Sequence, residues 1–426
     1  GKLREPQLQA IEVYLWLKFV GHNQRLSDII RKGLLYDEET AKSYDNYRNF
    51  GNNYTTQFLN QFFQDNTAKG LHKELVNDPD SEKIDWNKFL DDLLHNYTYP
   101  NYLFSLPMGA GKTYLMACFI YLDLYFASLY PADKRFAHNF IVLAPTSSKT
   151  AIMPSLQTIK NFNAEWILPK NTAEKIKQTI TIEMLDALSS KRKDKLQGNN
   201  PNLEKANRLL QTKDMGLVFI TNAEKVILER YDDKDKLIIN KFKKGQVSLF
   251  DNKKLAEIVK MNELRERLSE IPYLSVILDE VHHLYGKDKT NQDKDKKTRE
   301  AVNIFNQHGN VVNVLGLSGT PYVKHVVEVG NNKINLNQIQ DIAYNYPLNE
   351  GIGRFLKVPD IKSADVKEKA FIKNALSDFF TNYNFIYKNG TKSKMAFYCP
   401  SIRVLNEDIY PAILEWYKEN RKGMEN

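Results

Sequence analysis

Seven short apolar runs punctuate the chain: YLFSL (102–106), FIVLA (140–144), TITIE (179–183), LVFI (217–220), LSVIL (274–278), VVNVLGL (311–317) and MAFYC (395–399). Runs of this length and β-branched content suit strands buried on both faces of a sheet. Helical patterns separate them, most clearly TYLMACFIYLDLYFASLY (113–130). Strand, helix and strand at this spacing predict an α/β fold built on a parallel sheet. Residues 1–98 read differently. IEVYLWLKF (11–19) and IDWNKFLDDLLHNY (84–97) carry apolar residues at helical spacing, in the second case Trp86, Leu90, Leu93 and Tyr97. They predict an N-terminal helical segment. The main α/β pattern runs over 99–355. From 356 to 426 it restarts with a helix over FIKNALSDFFTNYNFIY (371–387), a turn over KNGTKSK and a strand over MAFYC, as the opening of another lobe would.

Composition narrows this picture only slightly. The 426 residues correspond to two or three units at about 150 residues per domain, and 42% hydrophobic content can supply a core. Sixty Lys and Arg against 52 Asp and Glu leave +8, which permits a polyanionic partner without requiring one. Charge-dense stretches at 190–200, 231–245 and 286–300 read as solvated loops or as a phosphate-contacting surface. The two cysteines, Cys118 and Cys399, exclude a disulfide framework and suit a reducing, cytoplasmic compartment. The most apolar stretch, 115–130, is too short to span a bilayer and contains Asp123, so it reads as a buried helix and no membrane association is expected. The opening GKLREPQ has no apolar run behind it, so no leader is expected. The chain begins without Met and stops in mid-pattern, as a piece of a longer polypeptide would.

Three segments carry chemistry. PMGAGKTYL (107–115) follows a predicted strand and opens a helix, the context a phosphate-binding loop needs. Gly109 and Gly111 let backbone N–H groups turn inward around phosphate oxygens. Lys112 can reach the terminal phosphates, and the Thr113 hydroxyl can ligate Mg²⁺. The strict motif has Gly at the position of Leu106. LSVILDEVHHL (274–284) leads four apolar residues into Asp279 and Glu280 at the crevice end of a strand. Asp279 is placed to hold Mg²⁺, and Glu280 to orient or deprotonate a water. A helix cap would explain an isolated Asp-Glu equally well. His282 and His283 lack a Cys or a third His at zinc-ligand spacing. LGLSGTPYV (315–323) ends another strand in small hydroxyl residues, Ser318 and Thr320.

In this order the motifs resemble those of superfamily 2 helicase-like ATPases: GAGKT as motif I, DEVH as the DExH box and SGT, in place of the commoner SAT, as motif III. LREPQLQAI (3–11) resembles the adenine-reading segment of restriction-enzyme motors. LAPTSSK (143–149) resembles motif Ia, and FITNAEK (219–225) an adjoining DNA-strand segment. DIAYNYPLNEGIGRFLKVP (341–359) resembles the segment that joins the motor lobes of type III restriction Res subunits. The resemblance implies a RecA-like lobe binding ATP and Mg²⁺. Nucleotide would be held by Arg4, Gln7 and the loop residues Gly109, Ala110, Gly111, Lys112, Thr113 and Tyr114. Metal would be held by Thr113 and Asp279. Chemistry would fall to Lys112, Glu280 and His282, and coupling to Ser318 and Thr320. DNA backbone would be held by Ser147, Ser148, Lys149, Thr221 and Asn222. A helical cap explains the serines as well as a phosphate contact does.

The resemblance further implies a DNA translocase or helicase, with a modification or specificity subunit as an additional partner. Such motors use two RecA-like lobes. Only the first is complete in this pattern, and the Arg-bearing motif VI is not found, so slow turnover is expected of the chain alone. Two other readings stay open: a P-loop ATPase that remodels protein, and a nucleotide-gated module that does not hydrolyse. The segments LAPTSS and SGTP weigh against the first, and Lys112 with Glu280 against the second.

Overall fold

The computed structural model describes residues 3–29, 94–95, 97–144, 149–185, 201–222, 226, 263–281, 299, 301–321, 325–329, 332–336, 340–356, 358, 368–387, 390–399 and 401–420. The chain divides into two compact units, Gly1–Lys357 and Val358–Asn426.

The first unit is built on a parallel sheet. Its elements are α1 (Glu5–Phe19), β1 (Asn101–Ser105), α2 (Lys112–Leu129), β2 (Asn139–Ala144), α3 (Lys149–Asn161), α4 (Lys170–Thr179), β3 (Thr181–Met184), α5 (Pro201–Thr212), β4 (Leu217–Asn222), β5 (Leu274–Leu278), β6 (Val311–Ser318), β7 (His325–Val329), β8 (Asn332–Leu336) and β9 (Ile342–Asn345). Seven strands pair in the order β3-β4-β2-β5-β6-β1-β9, every pair parallel. The six expected strand runs before residue 320 coincide with β1 to β6, within two residues at each end. The apolar character of the inner strands has a direct cause; the edge strand β3, TIEM, is half-buried throughout. Along β2, Phe140, Val142 and Ala144 enter one apolar core and Ile141 and Leu143 enter another, because successive side chains point to opposite faces. The sheet with its flanking helices is a RecA-like α/β fold.

Three strands had no strong signal. The antiparallel hairpin β7–β8 stands apart from the main sheet. The four-residue β9 pairs with β1 at the sheet edge through a register shift.

The helix α1 packs with the sheet rather than apart from it. It belongs to the same compact unit as the sheet. The Tyr14 and Phe119 rings lie 4.2 Å apart, packing α1 on α2, and the hydroxyl of Tyr344 in β9 donates to Gln9 at 2.8 Å. The apolar helix α2 is buried through most of its length, Asp123 included. Among the described residues no helix is long and apolar enough to cross a membrane. The helix expected over 84–97 lies mostly outside the described residues. Its last described residues, Leu94, His95 and Tyr97, are not helical. The carboxylate of Asp341 instead accepts from the His95 backbone N–H at 3.0 Å and lies 2.7 Å from its Nδ1.

The second unit contains α6 (Glu368–Asp378), continued by a π-helical turn to Tyr383, and α7 (Tyr410–Asn420). Ile372, Leu376, Ala412 and Trp416 belong to its small core. The strand expected over 395–399 does not form; these residues are irregular. A strand needs a neighbour for its backbone groups. Among the described residues of this unit only the isolated bridge Ile386–Lys392 shows strand pairing.

Candidate functional site

Parallel strands place all their carboxyl ends along one edge, and open α/β sheets bind ligands there. Here β6 lies between β1 and β5, so the segments following these three strands meet. Pro107–Lys112 follows β1, Asp279-Glu280 follows β5, and Gly319-Thr320 follows β6.

The loop after β1 is shaped by glycine. Gly109 and Gly111 adopt φ of +81° and +91°, a region that residues with a Cβ enter at a cost. Gly111 is the residue before α2 and makes no side-chain cap, so the first N–H groups of that helix have no capping side chain. Such a terminus carries partial positive charge suited to phosphate. Ala110 is buried, Thr113 is half-buried and Tyr114 is exposed, its ring stacked 5.8 Å from that of Trp166.

Lys112 leaves the loop toward β5. Its Nζ lies 3.2 Å from Glu280 Oε1, with the lysine side chain 9% and the glutamate 30% exposed. Glu280 has φ of +49°, which for a residue with a Cβ costs roughly 1–2 kcal/mol. Strain of this kind gathers at functional sites. Gly319 closes the cluster: a Cβ there would stand 2.9 Å from Lys112 Nζ. The SGT motif thus leaves room for the amine where Ala would press on it. The Ser318 carbonyl accepts from the Leu106 N–H at 3.0 Å, and the Ser318 hydroxyl accepts from the Thr320 N–H at 3.2 Å. Ser318 is buried and Thr320 exposed.

Asp279 is half-buried. Burial first, then the neighbouring Glu280, push its carboxyl above the ordinary carboxylate range, against the opposing pull of Lys112. Ser155 of α3, which nothing in the sequence singled out, donates to its Oδ2 at 3.4 Å. A carboxylate and the Thr113 hydroxyl are hard oxygen donors. They match Mg²⁺, which takes few protein ligands and completes its shell with phosphate and water.

The first turn of α1 reaches this loop across about a hundred residues of chain. Gln7 Nε2 donates to the Gly111 carbonyl at 2.9 Å, and its Oε1 accepts from the Arg4 backbone N–H at 2.8 Å. The Arg4 guanidinium donates to the Gly109 carbonyl. Gln7 is buried and Arg4 exposed.

The residues expected on DNA are less well gathered. Ser147, Ser148 and His282 lie outside the described residues. Lys149 opens α3 and Asn222 ends β4, but their side chains also lie outside them. Thr221 is buried, and its hydroxyl donates to the Leu185 carbonyl at 2.9 Å. That bond ties β4 to the residue after β3 and takes Thr221 away from a phosphate-contacting role.

No curated protein matches the chain. Its sequence does match the family model described as type III restriction enzyme, res subunit, over residues 81–323, more than half of the 426. That stretch contains β1 through β6, the phosphate loop and the Asp279-Glu280 pair. The chain therefore belongs to the type III restriction enzyme res subunit family, whose helicase-like domain is that of an ATPase motor.

Proposed function

We propose that the protein is an ATP-driven DNA motor, coupling hydrolysis of Mg-ATP to movement along the duplex. The observation that carries this reading is the contact of Lys112 with Glu280 at 3.2 Å, beneath a glycine phosphate loop and against Gly319. Phosphate oxygens would replace the carboxylate as partner of Lys112, and Glu280 would then be released to a water. ATP and water give ADP and phosphate: the water oxygen bonds to the γ-phosphorus as the bond to the bridging oxygen breaks. Glu280 accepts the proton of that water. Asp279 and Thr113 would hold Mg²⁺, which supplies charge neutralisation on the phosphates. Gln7 and Arg4 would meet the base, and the Ser318–Thr320 turn would relay the change to the DNA side. The family supports an interaction with DNA. Lys149 at the start of α3 and Asn222 at the end of β4 lie on the same sheet edge as the loop, which suits contacts to a strand's backbone without reading bases.

Two substitutions test the reading. Lys112→Ala should weaken ATP binding about ten- to a hundredfold, the range for lost hydrogen bonds to a charged group, with little change in the melt. Glu280→Gln should leave ATP binding intact and stop turnover. Titration of a fluorescent ATP analogue and phosphate release with duplex DNA would read both. Wild-type turnover in Glu280→Gln would remove the assigned role of that residue. Unchanged affinity in Lys112→Ala would remove the phosphate loop itself.

A further inference from the structure

Gly351 and Gly353, a lone G-x-G in the sequence, fall in a tight turn that ends against the phosphate loop. The N–H groups of Phe355 and Leu356 both donate to the Gly351 carbonyl, at 3.1 and 2.9 Å, and Gly353 N–H donates to the Leu356 carbonyl at 2.8 Å. A Cβ on Gly351 would stand 2.9 Å from Phe355 Cζ and 3.2 Å from Leu356 Cδ1, so its absence lets both side chains fold back over the turn. Leu356 then reaches Gly109, where a Cβ would lie 3.1 Å from its Cδ2. The Phe355 ring, backed by Tyr346 with ring centroids 5.9 Å apart, lies 5.3 Å from the Arg4 guanidinium carbon. One residue earlier in the turn, Arg354 pairs with Glu5 at 2.8 Å, next to Arg4 in α1.

Arg4 is thus set by two fixed groups, the Gly109 carbonyl at its edge and the Phe355 ring at its face, yet it remains exposed. A cation over an aromatic face is attracted to it, and a planar guanidinium stacks well on flat π systems. A group tethered to phosphates in the loop and lying flat against such a plane has the chemistry of a nucleobase. We infer that Phe355 is a positioning residue for the base of a bound nucleoside triphosphate, acting through Arg4. The turn Gly351–Leu356 borders that end of the site, beside the phosphate loop and the start of α1. The inference rests on the phosphate-loop reading.

The test compares the protein's affinity for ATP with that for tripolyphosphate, which has no base, by calorimetry with a thermal melt of each variant. Phe355→Leu keeps apolar bulk and removes the π face. It should weaken ATP about three- to tenfold, the range of one cation–π contact, and leave tripolyphosphate binding unchanged. Phe355→Tyr should bind both as wild type does. Arg4→Ala should show the same selective loss, and Arg4→Ala combined with Phe355→Leu no further loss, because the two act as one unit. Equal losses for both ligands in Phe355→Leu would make the ring a packing element of the loop and overturn the inference. No loss for either would do the same. Wild-type protein that binds both ligands equally would overturn the inference while leaving the phosphate loop in place. Binding of neither would remove the phosphate-loop reading, and the inference with it.

Discussion

Two aspartates lie in the first unit with opposite surroundings. Asp123, in the middle of α2, accepts from the Tyr14 hydroxyl at 2.7 Å, the Ala137 N–H at 2.9 Å and Lys18 Nζ at 3.2 Å. Lys18 in turn donates to the Arg135 carbonyl at 2.6 Å. Both side chains of the pair are almost wholly buried. At the carboxyl edge of the sheet the Asp279 carboxylate has, among the described residues, one long side-chain hydrogen bond, from Ser155, and the backbone N–H of Glu280. Burial pushes both carboxyls upward. The difference is in what answers it. Asp123 is met by three donors, a hydroxyl and a buried ammonium from α1 and an N–H from the loop before β2, so its polar capacity is closed. Asp279 faces the Glu280 side chain as a like charge, and no buried ammonium pairs with it as Lys18 does with Asp123; only a more distant pull from Lys112 opposes the burial. A buried carboxylate is structural where donors close around it and poised for a ligand where they do not.

The largest test of this contrast is removal of Asp123. Asp123→Ala leaves Lys18 buried without its counter-charge. It should cost about 3–5 kcal/mol, the range for breaking one side of a buried pair. Replacing both partners together, Lys18→Met with Asp123→Leu, should cost less than either single change. Urea denaturation reads each. A single-variant loss below about 1 kcal/mol would show that the pair behaves like a surface ion pair despite its burial.

Asp279→Asn should do the reverse: little loss of stability, and a loss of Mg²⁺-dependent nucleotide affinity. The pH dependence carries a definite sign. A carboxyl raised above its unfolded value of about 3.9 binds its proton more tightly in the native state. Its stabilising contribution is therefore complete below that value and is lost as pH rises through the folded pKa. Wild type should lose stability relative to Asp279→Asn over that window, and Mg-nucleotide should restore it near neutral pH. Denaturation of both proteins from about pH 4 upward, with and without Mg-nucleotide, would show it. A wild type that gains on the variant with rising pH would mean that Lys112 outweighs burial and the Glu280 charge.

The sheet and the loop at its carboxyl edge were legible because each rests on a local signal. A strand buried on both faces is mostly apolar, as in LSVIL, where the one polar residue, Ser275, donates to Asn313 at 2.6 Å, and the tight turn after β1 needs glycine where Gly109 and Gly111 stand. The edge strand β9 escaped because IAYN is short. The resemblance placed Gln7 with the loop at one nucleotide site, but its bond to the Gly111 carbonyl had no signal, since no spacing rule links residues 104 positions apart. Ser155 had no signal, and Phe355 lay in the quoted segment 341–359 without any mark of its own. Their roles come from the helix and the turn that carry them to Asp279 and Arg4. MAFYC shows the opposite case: strand propensity makes no strand without a partner for the backbone.

Thr221 supplies the finest test, because it sits at the carboxyl edge with Asp279 but is closed like Asp123. Its hydroxyl is fully buried and donates to the Leu185 carbonyl at 2.9 Å. Val has nearly the same shape without the hydroxyl. Thr221→Val should therefore remove one neutral hydrogen bond and cost about 1 kcal/mol of stability. It should leave DNA affinity and its salt dependence as they were. Each phosphate contact adds a log–log salt slope of about −0.9 on duplex DNA, so a lost contact is measurable as a shallower slope. Lys149→Ala, at the start of α3, should shallow the slope by about that amount. Binding isotherms from low to physiological salt would separate the two variants. A shallower slope in Thr221→Val, with stability unchanged, would mean that the hydroxyl leaves Leu185 when DNA binds, and position along the edge would then matter more than closure.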